Sequence, residues 1–172
     1  MSISWKRLGG LPSYGDILSF HLPGGRLLGE GIVFEFHIDD YAWIGNFAPG
    51  MGVHSAVHIL ASAVYVIAAG NGYRFEANVP MNYEILEPSV ITDSRLVEEI
   101  STLVVAGLVN VSAYGGNGLL WATPRLSLDG VVLHECNRAA ITGVASSVPG
   151  GGARYFSIET ATGNCRFGAS YP

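Results

Sequence analysis

Residues 32–39 alternate with period two: Ile32, Phe34, Phe36 and Ile38 point one way, and Val33, Glu35, His37 and Asp39 the other. That is the pattern of a strand with one buried face. The same period returns over residues 74–85. There Phe75, Ala77, Val79, Met81, Tyr83 and Ile85 alternate with Arg74, Glu76, Asn78, Pro80, Asn82 and Glu84. Pro80 in that run favours a sheet edge or a bulge. Between the two lies a segment of another kind. Residues 41–73 contain no Asp, Glu, Lys or Arg, and within them residues 53–69 contain no Gly and no Pro. At roughly 100° per residue, His54, Ser55, His58, Ser62 and Tyr65 fall on one narrow arc. Val53, Val57, Leu60, Ala63, Val64 and Ile67 fall opposite. This reads as a buried amphipathic helix that Gly70-Asn71-Gly72 terminates. Two strands and a membrane helix are the alternatives for the same residues.

Downstream, residues 96–105 and 108–114 read as strands, with a short helix capped by Asp93 as a rival for residues 94–100. Residues 115–118 form a turn and residues 119–128 a returning strand. Asp129-Gly130 is a hairpin signal, and residues 131–136 return again. A loop rich in Ser, Pro and Gly covers residues 144–152. Residues 155–160 and 165–170 close the chain as a small hairpin. The expected fold is therefore α+β: one long helix wrapped by an antiparallel sheet, in a single domain over residues 1–172.

Composition narrows the partners more than the fold. Charged residues make up 13% of the chain, about half the usual share. The net charge of −5 is uneven. Residues 30–99 carry ten acids and two bases, whereas the rest carries four acids and seven bases. No basic run suited to nucleic acid is present. Two cysteines, Cys136 and Cys165, are too few for a disulfide scaffold and are expected as free thiols. Gly9, Gly10, Pro12 and Asp16 interrupt any apolar run after Lys6 and Arg7, so no signal peptide is expected and a cytoplasmic location is. Partners are expected to include neither nucleic acid nor membrane.

The stretch GMGVHSAVHILASAVY at residues 50–65 resembles the start of the central helix in small acyl thioesterases of the hotdog fold. Their pattern there is roughly N-x-x-G-x-x-H-G-G followed by L-A-D. Asn46, Gly50 or Gly52, His54 and Leu60-Ala61-Ser62 stand at similar places. NYEILEP at residues 82–88 is similar to the family's N-x-x-F-L-x-P strand, and residues 107–140 to its closing strands. WIGNFAPG at residues 43–50 resembles, more distantly, the G-H-F-P-G turn of hydroxyacyl dehydratases. Ser55 and Ala56 stand where the thioesterases carry two glycines, and Ser62 or Ala63 where they often carry a carboxylate.

The resemblance implies a homodimer acting on an acyl thioester of coenzyme A or an acyl carrier protein, as a hydrolase or dehydratase, without metal or other cofactor. It implies His54 as the catalytic group, with Asn46, His58 and Ser62 in support. Gly50, Gly52, Trp43 and Phe47 would contact substrate. A physical argument runs beside it: a helix N-terminus at residue 53 would offer free N–H groups to a thioester oxyanion. The rival is a non-catalytic acyl- or protein-binding module that keeps the fold. Weaker chemistry is carried by Glu35, His37 and Asp39, whose spacing on one strand face permits metal ligation but equally describes a solvated face. His134 and Cys136 share a strand face, with Cys136 read as structural. No phosphate loop, dinucleotide fingerprint or nucleophile elbow is present.

Overall fold

The computed structural model describes every residue except 28, 88–89, 129, 147–151 and 171–172. The described residues form sixteen strands and one three-residue 3-10 turn, with no α-helix. Their contacts divide the chain into two compact units, Met1–Leu86 and Glu87–Pro172.

The first unit holds two four-stranded sheets. One is built from β1 (Ile3–Arg7), β2 (Ile17–Phe20), β3 (Ile32–Ile38) and β4 (Tyr41–Phe47), in the order β1-β3-β4-β2. Its β2–β4 pair is parallel, and the other pairs are antiparallel. The second sheet is a meander of β5 (Ala56–Leu60), β6 (Ala63–Ala68), β7 (Asn71–Glu76) and β8 (Tyr83–Ile85). Their inner faces share one core. Phe34 and Phe36 of β3 enter it as their alternation requires, with Phe20, Trp43 and Phe47 from the neighbouring strands. Val64, Val66, Tyr73 and Phe75 meet them from the meander. Phe75 is fully buried, with its ring centroid 5.4 Å from that of Phe20, 5.9 Å from Phe36 and 5.6 Å from Trp43. Gly45 keeps this packing possible, because a Cβ there would stand 2.3 Å from the Phe47 ring.

The second unit consists of two further meanders. The first is β9 (Ile91–Val97), β10 (Thr102–Gly107), β11 (Val111–Gly115) and β12 (Gly118–Ala122). The second is β13 (Val131–Cys136), β14 (Ala140–Ser146), β15 (Ala153–Glu159) and β16 (Cys165–Ser170). Val104, Ala106 and Val111 pack on Leu133, Ile141, Phe156 and Ile158 between them. The Trp121 indole N–H donates to Thr160 O at 2.9 Å, tying one sheet to the other.

The α+β hotdog expectation is overturned at its centre. Residues 53–69 are not a helix: they form β5 and β6, joined by a two-residue turn at Ala61-Ser62. The polar stripe that imitated a helix arises from the hairpin itself. His58 and Tyr65 are cross-strand partners, so they share a face, and Ser62 lies in the turn between their strands. Strand β6 is buried on both faces and flanked by partners on both edges, so its sequence is a continuous apolar run rather than an alternation. Gly70 ends no helix. With Ala69 (φ 46°) it forms the two-residue β6–β7 turn, Gly70 itself at φ 93°.

Smaller differences follow the same logic. The run 74–85 is two strands, β7 and β8, with Pro80 in the turn between them. The rival helix over residues 94–100 is strand to Val97 and a 3-10 turn from Glu98. The strand expected over residues 119–128 stops at Ala122, ahead of Pro124. Strand β14 runs to Ser146, into the expected loop, whose residues 147–151 lie outside the described residues, as does Asp129 of the hairpin signal. Strand β3 covers the alternating run 32–38, although Val33 and Glu35 on its second side are buried too. Strand β13 covers residues 131–136, but its register shifts between Leu133 and Glu135, so His134 is exposed while Cys136 packs on the core, and the two do not share a face as expected.

Candidate functional site: a braced apolar loop

The residues expected to build one active site are divided among three places. Asn46, Trp43 and Phe47 lie in β4 and are buried. Trp43 and Phe47 belong to the aromatic core rather than to an open pocket. Asn46 is a strap: its Oδ1 accepts from Gly31 N–H at 2.8 Å and its Nδ2 donates to Gly29 O at 3.2 Å, holding the chain that enters β3.

His58 and Ser62 sit on the other face of the second sheet, in a polar ladder. The register aligns His58, Tyr65, Arg74 and Glu84 across four strands. Ser62 Oγ donates to Glu76 Oε2 at 2.7 Å, and Arg74 Nη2 to Glu76 Oε1 at 2.7 Å. Burial raises the Tyr65 hydroxyl pKa, against the opposing pull of Arg74. A hydrogen-bonded ladder of this kind orders a sheet face.

Gly50, Gly52 and His54 lie on the loop between β4 and β5, residues 48–55. Both sides of this loop are held. Gly50 N–H donates to Ala68 O at 3.0 Å and Gly52 N–H to Ala69 O at 2.8 Å, while His54 O accepts from Gly70 N–H at 2.9 Å. The Ala69 N–H donates to Ser55 Oγ at 2.9 Å. Ala48 O accepts from Tyr73 Oη at 2.8 Å and from Asn71 Nδ2 at 3.2 Å. Burial pushes the Tyr73 hydroxyl pKa up to about 12, so it remains a donor at ordinary pH. Glycine is required at position 50: a Cβ there would stand 2.7 Å from both Ala69 O and Asn71 N.

Between these braces, Met51 is 94% exposed and Val53 98% exposed. Large apolar side chains are ordinarily drawn inward, and a tied loop keeps these two in water at the cost of their transfer free energy. No Asp, Glu, Lys or Arg occurs from Tyr41 to Tyr73, so this stretch of chain supplies no acidic or basic side chain besides its histidines. Sequence reasoning placed Val53 on the buried face of a helix and passed over Met51. The signal that marked the loop was PGMG at residues 49–52, a cluster of chain breakers.

A second polar cluster lies on the outer face of the first sheet. Glu35 is almost buried and accepts from Lys6 Nζ at 2.9 Å, His37 Nε2 at 2.9 Å and Tyr14 Oη at 3.3 Å. The hydrogen bond from Lys6 holds the Glu35 carboxyl below the usual carboxylate range and raises the Lys6 pKa in return. Asp39 is elsewhere, at the β3–β4 turn, where its Oδ1 accepts from Ser2 N–H at 2.8 Å. Among the described residues no group of three His, Cys, Asp or Glu side chains is placed to hold a metal ion. No helix among them is long and apolar enough to cross a membrane.

No family model matches the chain, and no curated protein does. Among solved structures, it is similar to the crystal structure of the N-terminal domain of Nup159. The TM-score is 0.44 and the identity 11%, with 98% of this chain and 50% of that chain covered. This chain thus spans half the length of that one, and a likeness of this size carries no argument about fold or function.

Acyl-thioester chemistry, by hydrolase or dehydratase, falls with the helix. Its oxyanion site required free N–H groups at a helix N-terminus. In their place stands a loop whose Gly50 and Gly52 N–H groups are bonded to β6 and the turn that follows it.

Proposed function

We propose that this protein is a non-catalytic binding module and that Met51 and Val53 are its contact points for a partner protein with an apolar, uncharged pocket. The observation that supports this reading is the pairing of near-complete exposure with full bracing at one loop. A preorganised loop loses little conformational entropy on docking, so most of the apolar burial is retained as affinity. Two such side chains, each contributing about 1.5–3 kcal/mol when buried, are enough for hot-spot residues. With no acidic or basic side chain other than histidine from residue 41 to residue 73, binding is expected to depend weakly on salt.

The test is a double variant, Met51→Ser with Val53→Ser. Proteins captured by the wild-type chain and lost by the double variant are purified, and their affinities measured directly. The double variant should lower affinity about a hundredfold or more while leaving stability unchanged, because neither side chain is packed. A second copy of this chain is the other outcome, visible as a concentration-dependent dimer that the double variant abolishes. A chain that captures nothing the double variant fails to capture, and that stays monomeric, refutes the proposal.

A further inference from the structure

A cleft of about 240 Å³ in the second unit is lined by Arg125, Arg154, Phe167, Leu126, Leu128 and the hydroxyl-bearing Ser127 and Ser146. Two guanidinium groups therefore share one small concavity. Among the described residues neither forms an ion pair, and Arg95 with Asp93 is the one ion pair of this unit there. Each arginine is held in place by other contacts. Arg125 Nε donates to Ser127 O at 2.9 Å. The Arg154 guanidinium carbon lies 4.5 Å from the Phe167 ring centroid, stacked on its face, and its buried Nε has no hydrogen-bond partner. Two guanidiniums with no acidic partner among the described residues give the cleft a surplus of positive charge that an anion from outside would offset.

We infer that this cleft binds a phosphomonoester. Two guanidiniums match the charge of a phosphate dianion, whereas a carboxylate would leave one of them uncompensated. The fork geometry of arginine suits tetrahedral phosphate oxygens. The volume is below the roughly 300–1,000 Å³ usual for drug-sized ligands, which fits a phosphate and its immediate stem. Leu126, Leu128 and Phe167 give that stem an apolar wall. The ester is either a free small molecule or a phosphorylated side chain of another protein, the recognising chemistry being the same.

The experiment is titration of the full chain with phenyl phosphate, with a phosphoserine peptide and with benzoate, followed by calorimetry and by the phosphorus signal. Phenyl phosphate should bind one to one, about tenfold or more tighter than benzoate, and more weakly as salt rises. Binding should also weaken below about pH 6, where the phosphate loses its second charge. Arg125→Gln and Arg154→Gln should each weaken binding about tenfold or more. Arg125 is exposed, so its variant should fold and decide the matter even if Arg154→Gln does not. Binding of both phosphate ligands supports recognition of the group itself, and binding of the peptide alone supports a protein source. Absence of saturable binding for both at millimolar concentration, or binding that Arg125→Gln leaves unchanged, overturns the inference.

Discussion

Gly50→Ala tests the bracing on which the binding loop depends. The new methyl would stand 2.7 Å from Ala69 O, 2.7 Å from Asn71 N and 2.8 Å from Asn71 Oδ1. Two of these are backbone atoms in the β6–β7 turn, which cannot rotate away, so the loop itself must retreat. Retreat stretches the Gly50 N–H to Ala68 O and Gly52 N–H to Ala69 O bonds, now 3.0 and 2.8 Å. Losing two backbone hydrogen bonds costs about 1–3 kcal/mol. Residual overpacking adds about 1–3 kcal/mol. Part of the strain is relieved as the bonds break, so the sum should be about 2–4 kcal/mol rather than the full total. Urea unfolding followed by tryptophan fluorescence reads the change as a shift in midpoint at constant slope. Amide exchange at Gly52 should accelerate in the same variant. Gly9→Ala is the control, since a Cβ at Gly9 meets nothing within 4 Å. Equal stability of the two variants would refute the reading of the loop as rigidly held.

Further outcomes follow from the core and the charged clusters. Phe75→Ala empties the meeting point of four aromatic rings and should cost about 3–5 kcal/mol in the same unfolding assay. Glu35 has its folded-state pKa lowered from 4.5, chiefly by the Lys6 hydrogen bond, so its contribution is present above pH 4.5 and lost as pH falls through the lowered value. Glu35→Gln should therefore flatten the acid limb of melting temperature against pH, and an unchanged limb would count against the pair. Cys136, raised to about 11 by burial, should alkylate about a hundredfold more slowly than a thiol of pKa 9 at pH 8, read by mass spectrometry of the labelled peptide. Fast labelling of Cys136 would show that its strand opens readily.

What could be read from the sequence alone were the strands whose apolar and polar positions alternate. In β3, Phe34 and Phe36 face the core while Glu35 and His37 take the other side, so period two is printed in the chain. In β13, Val131 and Leu133 are buried and Val132 and His134 exposed, with the same result until the register shift between Leu133 and Glu135. The free state of Cys136 and Cys165 also agrees with a cysteine count too low for a scaffold. Strand β6 carried no such record. All six of its residues are buried and both its edges are paired, and a segment covered everywhere is apolar throughout whether helix or strand. The turn that would have settled the matter has Ala61 at φ 56°, a conformation glycine ordinarily supplies, so local chemistry gave no warning of it. The ladder formed by β5, β6 and β7 made that choice by satisfying the backbone groups of an otherwise helix-compatible run. The sites divide in the same way. The glycines at 50 and 52 could be picked out from local spacing, but the exposure of Met51 and Val53 depends on the loop's hydrogen bonds to β6 and the following turn. Arg125, Arg154 and Phe167 are far apart in the chain and share no motif, and only the packing of β15 and β16 beside the loop after β12 brings them to one cleft.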